Sequence, residues 1–161
     1  MTAAGSRIEL RIPGNHPESV RLLGVCLKHL SLTVFDPQGA AEIELAMVEA
    51  VNNCILHAKP GASEIRLTFT LSPRGIEIDL QDEGRPLDPR ILESAGSQWG
   101  FDPADIQNLP EGGMGLMLIK QLMNEVSYRH ENGLNWWSFS KFHPSASPSP
   151  VQDTRTTLTG P

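Results

Sequence analysis

From residue 42 to residue 58 the chain has no glycine or proline, and apolar residues return at Leu45, Val48, Val51 and Ile55, the spacing of an amphipathic helix. At about 100° per residue, Glu42, Ala46, Glu49, Asn53 and His57 gather in a stripe roughly 80° wide. Met47, Val48, Val51 and Ile55 take the broad opposite arc, which must face a core. Earlier, Ile8, Leu10 and Ile12 alternate with polar residues, a strand over residues 7–12 with one apolar face. Pro17 then opens a helix whose inner stripe is Val20, Leu23, Leu27 and Leu30. Residues 64–71 and 75–81 read as a hairpin across Ser72-Pro73-Arg74, and residues 113–124 as a largely buried helix. Strands near 126–130 and 134–142 join through Glu131-Asn132-Gly133. The order is strand, helix, helix, two strands, helix, two strands. It predicts an α+β two-layer sandwich: a mixed, mostly antiparallel sheet with helices on one face.

Three short motifs sit on these elements. Glu49-x-x-x-Asn53 puts a carboxylate and an amide one turn apart on the polar stripe of the long helix. An Asn carbonyl suits a hard cation such as Mg²⁺, which takes oxygen ligands and keeps several waters, and a neighbouring carboxylate can accept a proton from an attacking hydroxyl. Asp82-x-Gly84 ends the strand in which Ile76, Ile78 and Leu80 share one face. Asp82 has their parity, so its carboxylate points to the apolar side, where an ion costs several kcal/mol unless a donor meets it. The exocyclic amino group of adenine is such a donor, and Gly84 lets a base come close to the backbone. Gly113-Met114-Gly115-Leu116 leads into an apolar helix, where free backbone N–H groups and the positive dipole end make an anion site. It is neither a P-loop nor a dinucleotide fingerprint. Taken alone, the three read as a solvated helix face, a turn and a glycine-rich loop. Their order and setting are what describe a pocket for a magnesium nucleotide.

Composition adds boundaries. The chain has 161 residues, enough for one domain with an adequate core. Thirteen basic against nineteen acidic residues give a net charge of −6 with no basic cluster, which disfavours direct nucleic-acid binding. The N-terminus lacks a charged start followed by an apolar run, and no stretch of about 18 apolar residues occurs, so no membrane association and a cytoplasmic location are expected. Cys26 and Cys54 lack a Cys-x-x-Cys spacing, which points to free thiols rather than a disulfide framework or zinc site. Residues 85–112, rich in Pro, Gly, Asp and Gln, join two of the motifs and read as a lid over bound nucleotide, with Trp99 and Phe101 to dock it or meet a partner, or equally to pack the lid on the domain. Residues 143–161 carry Ser-Pro repeats and almost no large apolar groups, the composition of a flexible tail. His57 is read as structural, and Trp136-Trp137 sends one indole to each face of the last strand.

The run Glu44-Leu-Ala-Met-Val-Glu49-Ala-Val-Asn-Asn53-Cys-Ile-Leu-His57-Ala resembles the N box of the ATPase superfamily shared by gyrase, histidine kinases and mismatch-repair proteins. Asp82-Glu83-Gly84 is similar to its first glycine box, and Gly113-Met114-Gly115-Leu116 to its second. The single-domain anti-sigma-factor serine kinases match best, down to an ending like Gly115-Leu-Met-Leu-Ile-Lys-Gln-Leu-Met-Asn-Glu-Val126. The likeness runs from about Arg7 to Phe142, and implies a Bergerat-type ATPase fold over residues 1–142. It implies ATP and Mg²⁺ as cofactors, Glu49 as general base, Asn53 as magnesium ligand and Asp82 as adenine contact. Gly84, Gly113, Met114, Gly115 and Leu116 belong to the nucleotide site by the same likeness. Implied partners are an anti-anti-sigma antagonist that receives phosphate on serine and a sigma factor or equivalent output protein, with a homodimer left open. The departures are Asn124 where the family usually has Asp, Glu111 where some members carry Arg, and Cys54 in place of a small Ala. Two rival readings stay in view: a nucleotide-gated binding module without transfer, and a detached histidine-kinase catalytic domain, for which no preceding helix with a phosphoacceptor His is seen.

Overall fold

The computed structural model describes residues 5–14, 16–61, 64–94 and 114–144. Its elements are β1 (Ser6–Pro13), α1 (Glu18–Ser31), α2 (Pro37–Leu56), β2 (Glu64–Ser72), β3 (Gly75–Asp82), α3 (Pro89–Ser94), α4 (Met114–Leu122), β4 (Glu125–Glu131) and β5 (Leu134–Phe142). The strands form one sheet in the order β1-β2-β3-β5-β4. Helices α1, α2 and α4 supply the apolar layer of an α+β two-layer sandwich. Val20, Leu23, Leu27, Ile43, Met47, Val51 and Ile119 pack against Ile65, Leu67, Phe69, Ile76, Ile78, Leu80 and Phe139 of the sheet. The opposite face is an open groove lined by Arg7, Glu9, Arg66, Thr68, Asp79 and Trp136.

Every neighbouring pair of strands is antiparallel, so the sheet is not mixed. β4 does run parallel to β3, but the hairpin inserts β5 between them and removes the parallel contact. That hairpin closes on Asn132-Gly133, with φ of 54° and 80°, the two positive values that a tight turn matched to strand twist requires.

Helix α2 begins five residues before the expected position 42. Asp36 caps it, its carboxylate accepting from Gly39 N–H at 2.8 Å, and Pro37 occupies the first turn, where a missing N–H costs nothing. Within α2, Leu45 is 46% exposed and Ile43 is buried in its stead. At its start Glu42 meets Lys141 of β5 at 2.7 Å, and the same ammonium donates to the Leu122 carbonyl at 2.7 Å, so one side chain ties α2, β5 and the end of α4 together. Asn124, the residue standing for the family's Asp, accepts from Phe142 N–H at 2.8 Å.

Of the segment expected as a lid, residues 85–94 are described. They include the short helix α3, too brief for its periodicity to be read, which Lys120 holds by donating to the Leu92 carbonyl at 2.9 Å. Trp99, Phe101 and Glu111 lie outside the described residues, as does the tail from residue 145. His143, assigned to the tail from composition, donates its N–H to the Arg74 carbonyl at 2.8 Å. No helix among the described residues is long and apolar enough to cross a membrane.

Candidate functional site

Helix α2 is the spine on which the motifs meet. Its buried face, with Ile43, Met47, Ala50 and Val51, fixes its rotation on the sheet, which leaves Glu49 and Asn53 half-buried along one edge. Helix α4 packs beside α2 and brings Gly115 against Glu49. A Cβ placed on Gly115 would collide with the Glu49 carboxylate, lying 2.8 Å from its Cδ and 2.9 Å from its Cγ. Only a residue without a side chain lets the two helices carry these groups so close. Met114 is half exposed at the start of α4, whereas the Leu116 side chain is 7% exposed and belongs to the core. Gly113 lies outside the described residues.

β3 continues through Asp82, so the residue is part of the strand and its carboxylate points to the core side as parity requires. It is 5% exposed, and donors meet it. Gly84 N–H donates to Oδ1 at 2.6 Å and Asn135 Nδ2 donates to the same oxygen at 3.0 Å. Among the described residues Oδ2 takes only the Cys54 thiol, at 3.4 Å. Cys54 follows Asn53 on α2, so its thiol joins the first motif to the second. Burial beside the Asp82 carboxylate pushes that thiol well above the ordinary cysteine value, keeping it a protonated donor.

The glycine at position 84 answers a crowding problem within the chain itself. A Cβ there would sit 2.5 Å from Asp82 Oδ1 and 3.2 Å from the His57 carbonyl oxygen. That carbonyl also accepts from Arg85 N–H at 3.0 Å. His57 takes part through its backbone carbonyl, not through the side chain expected to hold a backbone group, and the residue is exposed.

Two residues around Asp82, Asn135 and Tyr128, escaped the sequence reading, and Cys54, read there only as a free thiol in place of Ala, proves to be a third partner of the site. Asn135 is 4% exposed and stands opposite Asp82 in the β3–β5 register. Its Oδ1 accepts from the Tyr128 hydroxyl at 2.8 Å and has His130 Nδ1 at 2.9 Å, and its amide also donates to the Arg85 carbonyl at 3.3 Å. The Tyr128 oxygen in turn accepts from Leu87 N–H at 2.8 Å, and burial raises the phenol above its ordinary value. Parity alone carried a signal, since Asn135 shares the inward face of β5 with Trp137 and Phe139. Trp137 stacks on Phe139 at 5.9 Å, whereas Trp136 lies on the open face under the Arg129 guanidinium at 5.0 Å, one indole to each side as alternation predicts.

Residues 15–141 match the model of the histidine kinase-like ATPase domain. The serine-protein kinase RsbW of Staphylococcus epidermidis is 33% identical over 142 residues, covering 83% of this chain and 86% of that one. RsbW of Bacillus cereus strain AH187 is 29% identical over 130 residues, 80% of each chain. Among solved structures, the RsbU and RsbW domains of a Mycobacterium tuberculosis protein superpose with a TM-score of 0.59 at 15% identity, over 85% of this chain and 32% of that longer one, a likeness of fold. Membership in such a family implies nucleotide binding. The chain belongs to the histidine kinase-like ATPase domain family and, within it, to the serine-protein kinases.

Proposed function

We propose that this kinase binds Mg-ATP along α2, transfers the γ-phosphoryl group to a serine of an anti-anti-sigma antagonist, and otherwise sequesters a sigma factor or an equivalent output protein. The observation that carries this reading is the continuity of the three motifs. Gly115 abuts Glu49, Asn53 follows one turn later, and Cys54 touches Asp82. Together they make one strip with an anion-binding end and a base-binding end. Asp82 keeps acceptor capacity on Oδ2 for the adenine amino group. The backbone at Gly115, and at Gly113 before it, offers N–H groups to the phosphates. The residues present fit Mg²⁺ as well: the Asn53 carbonyl is a hard oxygen donor beside the anion end, and the ion would offset phosphate charge there. Glu49 accepts the proton of the serine hydroxyl as Oγ forms its bond to phosphorus and the bond from phosphorus to the ADP oxygen breaks, and then releases that proton to water. A phosphate on the antagonist brings about −2 charges to a desolvated interface and drives release.

The test separates binding from chemistry. Glu49→Ala should slow single-turnover phosphorylation of the antagonist by about 10²–10⁴-fold with ATP affinity nearly unchanged. Asn53→Ala should weaken Mg-ATP binding as well. Unchanged turnover in Glu49→Ala would sink the base assignment. A parent protein that binds ATP and antagonist yet transfers no phosphate would replace the kinase reading with a nucleotide-gated binding module.

A further inference from the structure

The network around Asp82 does more than satisfy a buried charge; it chooses which of two equivalent oxygens is left for a ligand. Asn135 is the element that makes the choice. The orientation of its amide is dictated by its surroundings. One end faces two acceptors, Asp82 Oδ1 at 3.0 Å and the Arg85 carbonyl at 3.3 Å, and so must be the NH₂ group. The other faces the Tyr128 hydroxyl at 2.8 Å and His130 Nδ1 at 2.9 Å, and must be the carbonyl oxygen. Turned by 180°, the amide would set oxygen against oxygen twice. Tyr128 is itself held, because Leu87 N–H already donates to its oxygen, which leaves its proton for Asn135.

An amide locked in this way locks the carboxylate. Asp82 Oδ1 accepts both Gly84 N–H and Asn135 Nδ2, which fills its two lone pairs. Oδ2 receives one thiol, a weak donor at 3.4 Å, and keeps a strong acceptor site free. A half-turn about the Cβ–Cγ bond merely exchanges two equivalent oxygens, whereas any partial rotation would break two good hydrogen bonds, so the plane of the carboxylate is held with one oxygen toward the ligand. From this arrangement we infer that Asn135 is the positioning residue for base recognition: by holding Asp82 Oδ1 it presents Oδ2 as an obligatory acceptor, which selects a purine carrying an amino group at position 6 over one carrying a carbonyl. The inference rests on the reading of Asp82 as the adenine contact and adds to it where the selectivity originates. A carbonyl at position 6 would meet the lone pairs of Oδ2 with no proton between them. Without the Asn135 donor, only Gly84 N–H holds the carboxylate, which can then tilt out of that plane and withdraw its oxygen from a carbonyl.

The experiment compares ATP with inosine triphosphate, which differs at this position, in the full-length protein by titration calorimetry. Asn135→Leu should weaken ATP by about 10- to 100-fold, the worth of one hydrogen bond to a charged group, and leave inosine triphosphate nearly unchanged, so the ratio of affinities collapses. Asn135→Ser, smaller and less disruptive, should move the ratio the same way and serves if the leucine variant does not fold, as judged by its thermal melt. Asp82→Ala is the control on the underlying reading and should abolish the ratio altogether. If Asp82→Ala abolishes it and the Asn135 variants keep the parent ratio, the positioning role is overturned while the adenine contact stands. A parallel loss for both nucleotides in the Asn135 variants would overturn it too, since that is what a purely structural residue gives. A parent-like ratio in Asp82→Ala would remove the adenine contact, and the inference with it.

Discussion

Replacing Gly115 by alanine is a sharp probe of the site because the structure makes stability and chemistry respond differently. The new methyl would be driven into the Glu49 side chain, 2.8 Å from Cδ and 2.9 Å from Cγ. What it meets is the far end of a flexible side chain, so Glu49 can turn away into another rotamer at a cost of about 0.5–1.5 kcal/mol. Against this, exchanging glycine for alanine inside a helix returns up to about 1 kcal/mol, somewhat less in the first turn of α4. The two contributions nearly cancel. Net stability should stay within about 1 kcal/mol of the parent, a shift in Tm of only a few degrees. Turnover should not be spared. If Glu49 is the general base as proposed, displacing its carboxylate takes it from where the incoming hydroxyl loses its proton, and single-turnover phosphorylation at saturating ATP should fall by about 10²-fold or more. Saturating ATP matters because the same methyl also crowds the anion end and will raise the Kd. The double variant Glu49→Ala/Gly115→Ala completes the cycle: if the collision is what slows the reaction, it should be no slower than Glu49→Ala alone. Parent-like turnover in Gly115→Ala would refute the reasoning, and so would fully additive losses in the double variant.

Two further outcomes follow from contacts away from the reacting atoms. Hydrogen bonds from Lys141 and then Gln38 hold the Glu42 carboxyl below its ordinary value, so its stabilisation is complete above about pH 4.3 and is lost as pH falls through the depressed folded value. Glu42→Gln should therefore lower stability by about 1 kcal/mol at pH 7 and flatten the acid limb of a Tm-against-pH curve; equal acid slopes in parent and variant would rule the pair out as a contributor. Ending the chain after Pro144 should leave Tm and ATP affinity unchanged, whereas ending it after Phe142 should cost about 1 kcal/mol. The shorter chain removes the His143 N–H bond to Arg74 and the ring that lies 6.3 Å from Phe35. Chemical denaturation of the two truncated chains checks this, and equal midpoints would show that His143 contributes nothing.

Much of the architecture was legible in the chain because it is written in local periods. The parity that sets Ile76, Ile78 and Leu80 inward also carries Asp82 inward, and it holds to the last residue of the strand. The stripe Val20, Leu23, Leu27 likewise lies in the core. The start of α2 was misplaced although its signals were present. Asp36-Pro37 is a cap followed by a first-turn proline, but Gly39 two residues on looks like a breaker until its N–H is seen bonded to Asp36 and its Cα packed on Phe35. What could not be read was anything that depends on register. Asn135 matters because it stands opposite Asp82, a pairing across 53 positions that no local pattern encodes. The same holds for the crowding at Gly84, whose neighbours include a carbonyl from the end of α2. The sequence reading gave Gly84 to the approach of a base, whereas the structure supplies a reason within the chain itself.

The placement of β5 between β3 and β4 has a consequence for how this protein comes into being. Residues of α2 and β3 leave the ribosome early, but the inner neighbour of β3 is the last strand to be made. Until residue 135 has been synthesised and threaded into place, Asp82 has a backbone amide and a thiol for company, and one whole edge of β3 lies open. On the proposed reading, a nascent chain that has already displayed all three motifs still lacks the Asn135 donor, and it carries an unpaired strand edge of the kind that recruits chaperones. Premature termination anywhere before Phe142 should yield a fragment that is silent as well as unstable, rather than a kinase with a damaged end.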